Sequence, residues 1–191
     1  MTPARAVLDL AARRGPRCGD VTVVLVDGPA GSGKTTLAAA LEDAAGEHGT
    51  GCTVVHMDDL YAGWRGLREG GAALTALLRD LADGAPAGYR RYDWVADRYA
   101  ETVPVPPVAL LVVEGVGSAR TEHLDCVSVL VWVEEPDAEE RVRRGLARDG
   151  AAAEPHWRRW MVEEAELFAE VGTRARADVA VDGAGRLVAT S

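Results

Sequence analysis

Lysine is almost missing from this chain of 191 residues: it occurs once, at Lys34, against twenty arginines. A composition that supplies arginine everywhere else but keeps one lysine points to a position where a planar guanidinium fork does not serve. A slim ammonium acting as a point charge does. Cysteine is scarce too. Cys18, Cys52 and Cys126 stand without metal-ligand spacing, which argues against a zinc ribbon or a disulfide scaffold and leaves them as free thiols. No apolar run reaches the roughly 18 to 20 residues needed to cross a bilayer. The stretch Ala4 to Arg14 is short, charged and amphipathic, without the long apolar centre of a signal peptide, so a cytoplasmic location is expected. A basic excess is also lacking. The formal net charge of -9 disfavours general binding to nucleic acid, which needs a cationic face to displace counterions.

Hydrophobic residues make up 48% and charged ones 27%, as in an ordinary globular protein. Without an internal repeat or a linker, one domain over residues 1–191 is expected. Five short apolar runs, Val21 to Asp27, Thr53 to Met57, Val108 to Val113, Val127 to Val133 and Asp178 to Val181, alternate with helical segments. That order indicates a parallel sheet covered on both faces. The helices are predicted at Lys34 to Glu47, Gly71 to Ala82, Asp137 to Arg148 and Pro155 to Val171, with another before the first strand. In the last of these, Trp157, Trp160, Met161, Leu167, Phe168 and Val171 recur every three to four residues and are assigned to the core.

Lys34 belongs to Gly28-Pro29-Ala30-Gly31-Ser32-Gly33-Lys34-Thr35, the spacing G-x-x-x-x-G-K-[ST] of a phosphate-binding loop. A predicted strand precedes it and a predicted helix follows, as such a loop requires. Gly28 and the run Ala30-Gly31-Ser32-Gly33-Lys34-Thr35-Thr36 are therefore expected to hold the phosphates of ATP. Glycine there turns backbone N–H groups toward the anion, and the helix N-terminus adds its dipole. Thr35 is expected to hold Mg²⁺ through its hydroxyl.

Asp58 and Asp59 in Met57-Asp58-Asp59-Leu60-Tyr61 fall at the carboxyl end of the second strand, where open α/β sheets place ligands. An aspartate there can take the proton of an attacking hydroxyl, or cap a turn. Glu114 ends the third strand in Val112-Val113-Glu114-Gly115, in reach of a nucleotide-bound Mg²⁺. Arg141, Arg144 and Arg148 share one face of the following helix, suited to clamping phosphates; the alternative is a solvated helix in which Glu139 and Glu140 pair with Arg143 and Arg144. Gly145 and Gly150 suggest that this segment is a mobile lid.

With the phosphate loop, Asp58-Asp59-Leu60-Tyr61, Tyr92-Asp93-Trp94, Val113-Glu114-Gly115 and the arginine-rich segment in that order, the chain resembles the uridine kinase (uridine-cytidine kinase) family and the wider group with pantothenate kinase and phosphoribulokinase. The resemblance implies a three-layer P-loop NTPase fold with a five-stranded parallel sheet, a small β-hairpin at about 89–105 over the acceptor site and a lid at about 141–155. It implies ATP-dependent transfer of the γ-phosphate to a hydroxyl. Asp58 matches the catalytic base; Lys34, Arg144 and Arg148 match groups on the phosphates. Tyr61 and Tyr92 fall in the acceptor region by the same match; Trp64, in a Gly63-Trp64-Arg65-Gly66 run unlike the family's, and Asp93 are acceptor candidates beside them, as are Asp97 and Arg98, which stand where the family has a histidine. The implied partners are ATP with Mg²⁺ and a small-molecule hydroxyl acceptor, with neither nucleic acid nor membrane. Uridine or cytidine leads as acceptor; another hydroxyl metabolite, an antibiotic alcohol, or a nucleoside monophosphate met by Arg65, Arg68, Arg90, Arg91 and Arg98 are alternatives. From another class, a regulatory NTPase is the rival reading.

Overall fold

The computed structural model describes residues 1–122 and 124–189. Helix α1 (Pro3–Arg14) starts where Thr2 accepts a hydrogen bond from the Arg5 amide and Pro3 supplies a preset φ with no N–H to leave unpaired. The chain then runs through β1 (Thr22–Asp27), α2 (Lys34–Glu47), β2 (Cys52–His56) and α3 (Leu67–Ala82). A hairpin of β3 (Ala87–Asp93) and β4 (Arg98–Val105) follows. After it come β5 (Leu110–Glu114), β6 (Val129–Glu134), α4 (Ala138–Asp149), α5 (Glu154–Val171), the single turn α6 (Thr173–Arg176), β7 (Val179–Asp182) and β8 (Leu187–Val188).

The main sheet has the order β2-β5-β1-β6-β7-β8, and the hairpin forms a separate two-stranded sheet. The first five strands of that order pair in parallel, so the expected five-stranded parallel core is present. A sixth strand, β8, adds antiparallel to β7 with Val181 opposite Leu187. It was not foreseen, since two residues after a glycine-rich turn carry no periodic signal. β1 lies at the switch in strand order, with β5 on one side and β6 on the other, which opens a crevice at the carboxyl ends of the strands.

Strand alternation supplies one core on each face. Val23 and Leu25 join Leu111, Val113, Leu74, Leu78 and Leu167 on one side. Val24 and Val26 join Val112, Val131, Leu41 and α1 residues Val7 and Ala11 on the other. A side chain of this kind, fully buried, contributes about 1.5–3 kcal/mol. α3 begins earlier than predicted, at Leu67 rather than Gly71. Gly70 and Gly71 are poor helix formers, but a Cβ on Gly70 would sit 2.7 Å from the Tyr61 ring and one on Gly71 2.3 Å from the Arg120 carbonyl oxygen. Close packing here overrides helix propensity.

Candidate active site

The loop from Gly28 to Thr35 joins β1 to α2 at the switch point. Gly28 has φ +145°, and a Cβ there would stand 2.1 Å from the Val133 carbonyl oxygen, so only glycine lets β1 end this close to β6. Gly28 itself is packed under the loop, whereas Ala30 to Thr36 line a cleft of about 1250 Å³. That exceeds the roughly 300–1,000 Å³ typical of a single small-ligand site and leaves room for a second molecule beside a nucleotide.

Gly33 caps α2 in the left-handed region with no side-chain cap, so the first-turn N–H groups face the cleft with no intrahelical partner. The Lys34 ammonium is nearly buried and donates to the Pro29 carbonyl at 2.9 Å. The Ser32 hydroxyl is buried without a partner. Orphan donors, a left-handed glycine and one buried cation form a cradle that fits a chain of phosphates.

Two buried acids that the sequence reading passed over hold this loop from behind. Asp27 is fully buried, and its carboxylate accepts from the amides of Gly28 and Gly117 at 2.7 Å and of Ala119 at 3.0 Å. It ties the phosphate loop to the turn after β5. Burial pushes this carboxyl up to about 6, against the pull of the three amides and Lys34. Glu164 on α5 is also buried; it accepts from the Ala30 amide at 2.8 Å and from Arg141 at 2.7 Å. Its carboxyl is raised by burial, with the Ala30 amide, Lys34 and Arg141 opposing. Both were legible as anomalies: Asp27 ends an apolar strand, and Glu164 falls on the buried stripe with Trp157, Trp160 and Leu167.

Glu114 ends β5 with its carboxylate accepting from the Thr35 hydroxyl at 3.1 Å and from His56 Nδ1 at 2.7 Å. Burial raises the Glu114 carboxyl, but His56, Lys34 and Thr35 together outweigh it and hold it below its usual range. The same contact raises His56, a residue the sequence reading had not singled out. Thr35 and Glu114 thus meet, as two oxygen ligands for Mg²⁺ would have to. Among the described residues no group of three His, Cys, Asp or Glu side chains is placed to hold a metal, so a cation here would draw its remaining ligands from phosphate and water.

Asp58 opens to the cleft. The enclosing walls strip water from its carboxyl and push it up, Glu114 adds to that, and Arg148, Lys34 and His56 oppose.

The arginine face of α4 divides. Arg141 donates to Glu164 and the Ala30 carbonyl. Arg144 reaches the Gly31 carbonyl at 3.3 Å while paired with Glu135 and Glu140, and with Arg148 it lines the cleft. Arg148 pairs with Asp149. The solvated pairing considered as an alternative holds in part: Glu140 binds both Arg143 and Arg144, whereas Glu139 turns to Arg158.

The expected acceptor residues separate as well. Trp64 lines the cleft beside Asp58. Tyr61 does not: it is fully buried, its hydroxyl donates to the Val116 carbonyl, and its ring meets Trp160 edge-on at 5.0 Å. Tyr92 donates to Asp97 at 2.6 Å, and Asp93 accepts from the Val95 and Ala96 amides. These three shape the hairpin turn, where Asp97 has φ +50°, and Arg98 is not among the residues that line the cleft. The hairpin instead presents Trp94, whose indole N–H donates to the Asp58 carbonyl at 2.9 Å. Trp157 and Trp160, expected only as core, are buried and also wall the cleft.

The sheet order and the phosphate loop define an α/β structure of the P-loop fold. A candidate uridine kinase from Bacillus stearothermophilus superposes with a TM-score of 0.63 at 24% identity, covering 85% of this chain and 89% of that one. A candidate fructose transport system kinase from Silicibacter sp. TM1040 gives 0.67 at 20%, over 90% and 96%. D-glycerate 3-kinase from Cryptococcus neoformans gives 0.58 at 16%, over 98% and 97%. No protein-family model and no curated protein matches the sequence.

Proposed function

We propose that this chain is an ATP-dependent small-molecule kinase that moves the γ-phosphate to a hydroxyl, with an uncharged nucleoside of the uridine or cytidine kind as the leading acceptor. One observation carries the reading: a carboxylate open to the cleft, Asp58, shares one cavity with Lys34, Thr35, Glu114, Arg144 and Arg148. The acceptor oxygen attacks the γ-phosphorus, the bond from that phosphorus to the β,γ-bridging oxygen breaks, the hydroxyl proton passes to Asp58, and ADP leaves. Lys34 and the α2 N-terminus hold the phosphates, and Arg144 and Arg148 offset the charge that spreads over the transferring group. Mg²⁺, when bound through Thr35 and Glu114, supplies further neutralisation of phosphate charge.

The uridine-type neighbour supports the nucleoside expectation, while the fructose- and glycerate-type neighbours share the same fold. The nucleoside monophosphate alternative has less support, because Arg65, Arg68, Arg90, Arg91 and Arg98 all lie outside the cleft lining. Space for a second molecule next to the phosphate cradle favours an acceptor enzyme over a regulatory NTPase.

Asp58→Asn tests the assignment. Transfer is expected to fall about 10²- to 10⁴-fold, the range for loss of a positioned base. ATP binding is expected to persist, read as protection of Lys34 from amine labelling, since only the N-terminal amine competes. Transfer by the variant at the parent rate would remove Asp58 from the mechanism. With the base intact, the acid limb of the rate profile is expected above the ordinary aspartate value of 3.8, because the Asp58 carboxyl is raised.

A further inference from the structure

Four of the five tryptophans of this chain meet at one end of the cleft. Trp64 lies at their centre, with ring centroids 5.5 Å from Trp94, 6.4 Å from Trp157 and 6.0 Å from Trp160. All four line the same cavity as Asp58. They come from three separate elements: the turn after β2, the tip of the β3–β4 hairpin, and α5. Trp94 is the most open at 38%, yet its indole N–H is anchored on the carbonyl of Asp58 itself. Flat apolar surface is thus fixed directly beside the proton acceptor.

Charge in this corner is as informative as shape. Asp58 and Asp59 face the same cavity; of its basic side chains Lys34 and Arg144 bond the phosphate loop, and Arg148 is paired with Asp149, while His156 stacks on Trp64 at 5.4 Å. Asp149 also accepts from the Trp157 indole at 2.9 Å. A carboxylate or phosphate on the acceptor would meet two aspartates, with the nearby Arg148 already shared between Asp149 and the transferring phosphate, and like charges at close range repel.

We propose that the acceptor subsite takes a hydroxyl compound built on a flat or apolar ring that stacks on the Trp64–Trp94–Trp157–Trp160 wall and carries no negative charge. This rests on the kinase reading above and narrows it: hydroxy acids and phosphorylated acceptors are excluded, and ring alcohols, neutral or amine-bearing, are admitted. Indole faces accept both, by stacking and by cation–π attraction.

Tryptophan emission gives a binding readout independent of turnover, since the fifth tryptophan, Trp132, packs apart against Phe168. The full chain, with Mg²⁺ and a non-hydrolysable ATP analogue, is titrated with neutral nucleosides, amine-bearing cyclic alcohols, glycerate, open-chain polyols and nucleoside monophosphates. In parallel, labelled phosphate from ATP is followed into each compound. Saturable change in emission is expected with ring alcohols of one or both kinds and not with glycerate or the monophosphates. Trp94→Leu, at an exposed tip where folding is not at risk, is expected to raise the acceptor KM at least tenfold while ATP affinity moves less than twofold, and Trp94→Phe to restore most of it.

Tighter binding of glycerate or a monophosphate than of every ring alcohol overturns the proposal, as does the absence of any ring-alcohol response. Trp94-dependent binding of ring alcohols without phosphate transfer to any of them retires the kinase reading and leaves the subsite standing. Transfer confined to a hydroxy acid does the reverse.

Discussion

Asp27 ends β1 fully buried, with three backbone amides on its carboxylate. Its folded value of about 6 lies above the ordinary 3.8, so between those two values the folded protein holds a proton that the unfolded chain has released. Stability is therefore expected to fall as pH rises from about 4 to about 6, by up to about 3 kcal/mol. Asp27→Asn should flatten that limb and add a pH-independent loss of about 1–3 kcal/mol, since its amide nitrogen faces a donor it cannot accept. Urea unfolding at pH 4, 5, 6 and 7 reads both effects; a variant that keeps the slope would assign it to another group.

At the scale of elements, α4 and α5 are joined to the phosphate loop through a buried ion pair. Arg141 and Glu164 meet at 2.7 Å with 12% and 2% of their side chains exposed, and each also bonds Ala30. Removing one partner of such a pair costs about 3–5 kcal/mol. Arg141→Met is expected to lose stability in that range, and the double variant Arg141→Met/Glu164→Gln to recover more than half of it, measured by urea unfolding. No recovery would show that the loss comes from packing rather than from the stranded carboxylate. This pair also marks where sequence reading stopped. α2 falls at Lys34–Glu47 as predicted, because a glycine-to-helix transition and a run of good helix formers are local signals. Asp58, Glu114 and the cleft-lining arginines were legible for the same reason, as they stand at strand ends and on one helix face. Asp27, His56, Glu164 and the tryptophan wall acquire their meaning only when β1, β5, α5 and the hairpin come together. Tyr61 shows the converse: a motif position fixed its neighbourhood, but the fold turned its side chain under the cleft floor.

For the whole molecule, α1 links one core to the cleft. It packs Ala4, Val7 and Ala11 into the core that also holds Leu41 and Val131, and Thr2, Pro3 and Ala4 reach the cleft rim. A chain beginning at Gly15 is expected to show a clearly lower Tm and weaker ATP binding by calorimetry. Unchanged ATP affinity would make α1 a core element alone. Among the described residues no helix is long and apolar enough to cross a membrane. The cleft itself is gathered from residues as far apart as Thr2 and Gly185, with β1 between β5 and β6 and the late strand β7 beyond β6. On the ribosome, then, the phosphate loop emerges well before the residues between Arg144 and Gly185 that complete the cleft wall. Nucleotide is therefore expected to be retained only once that wall has been added.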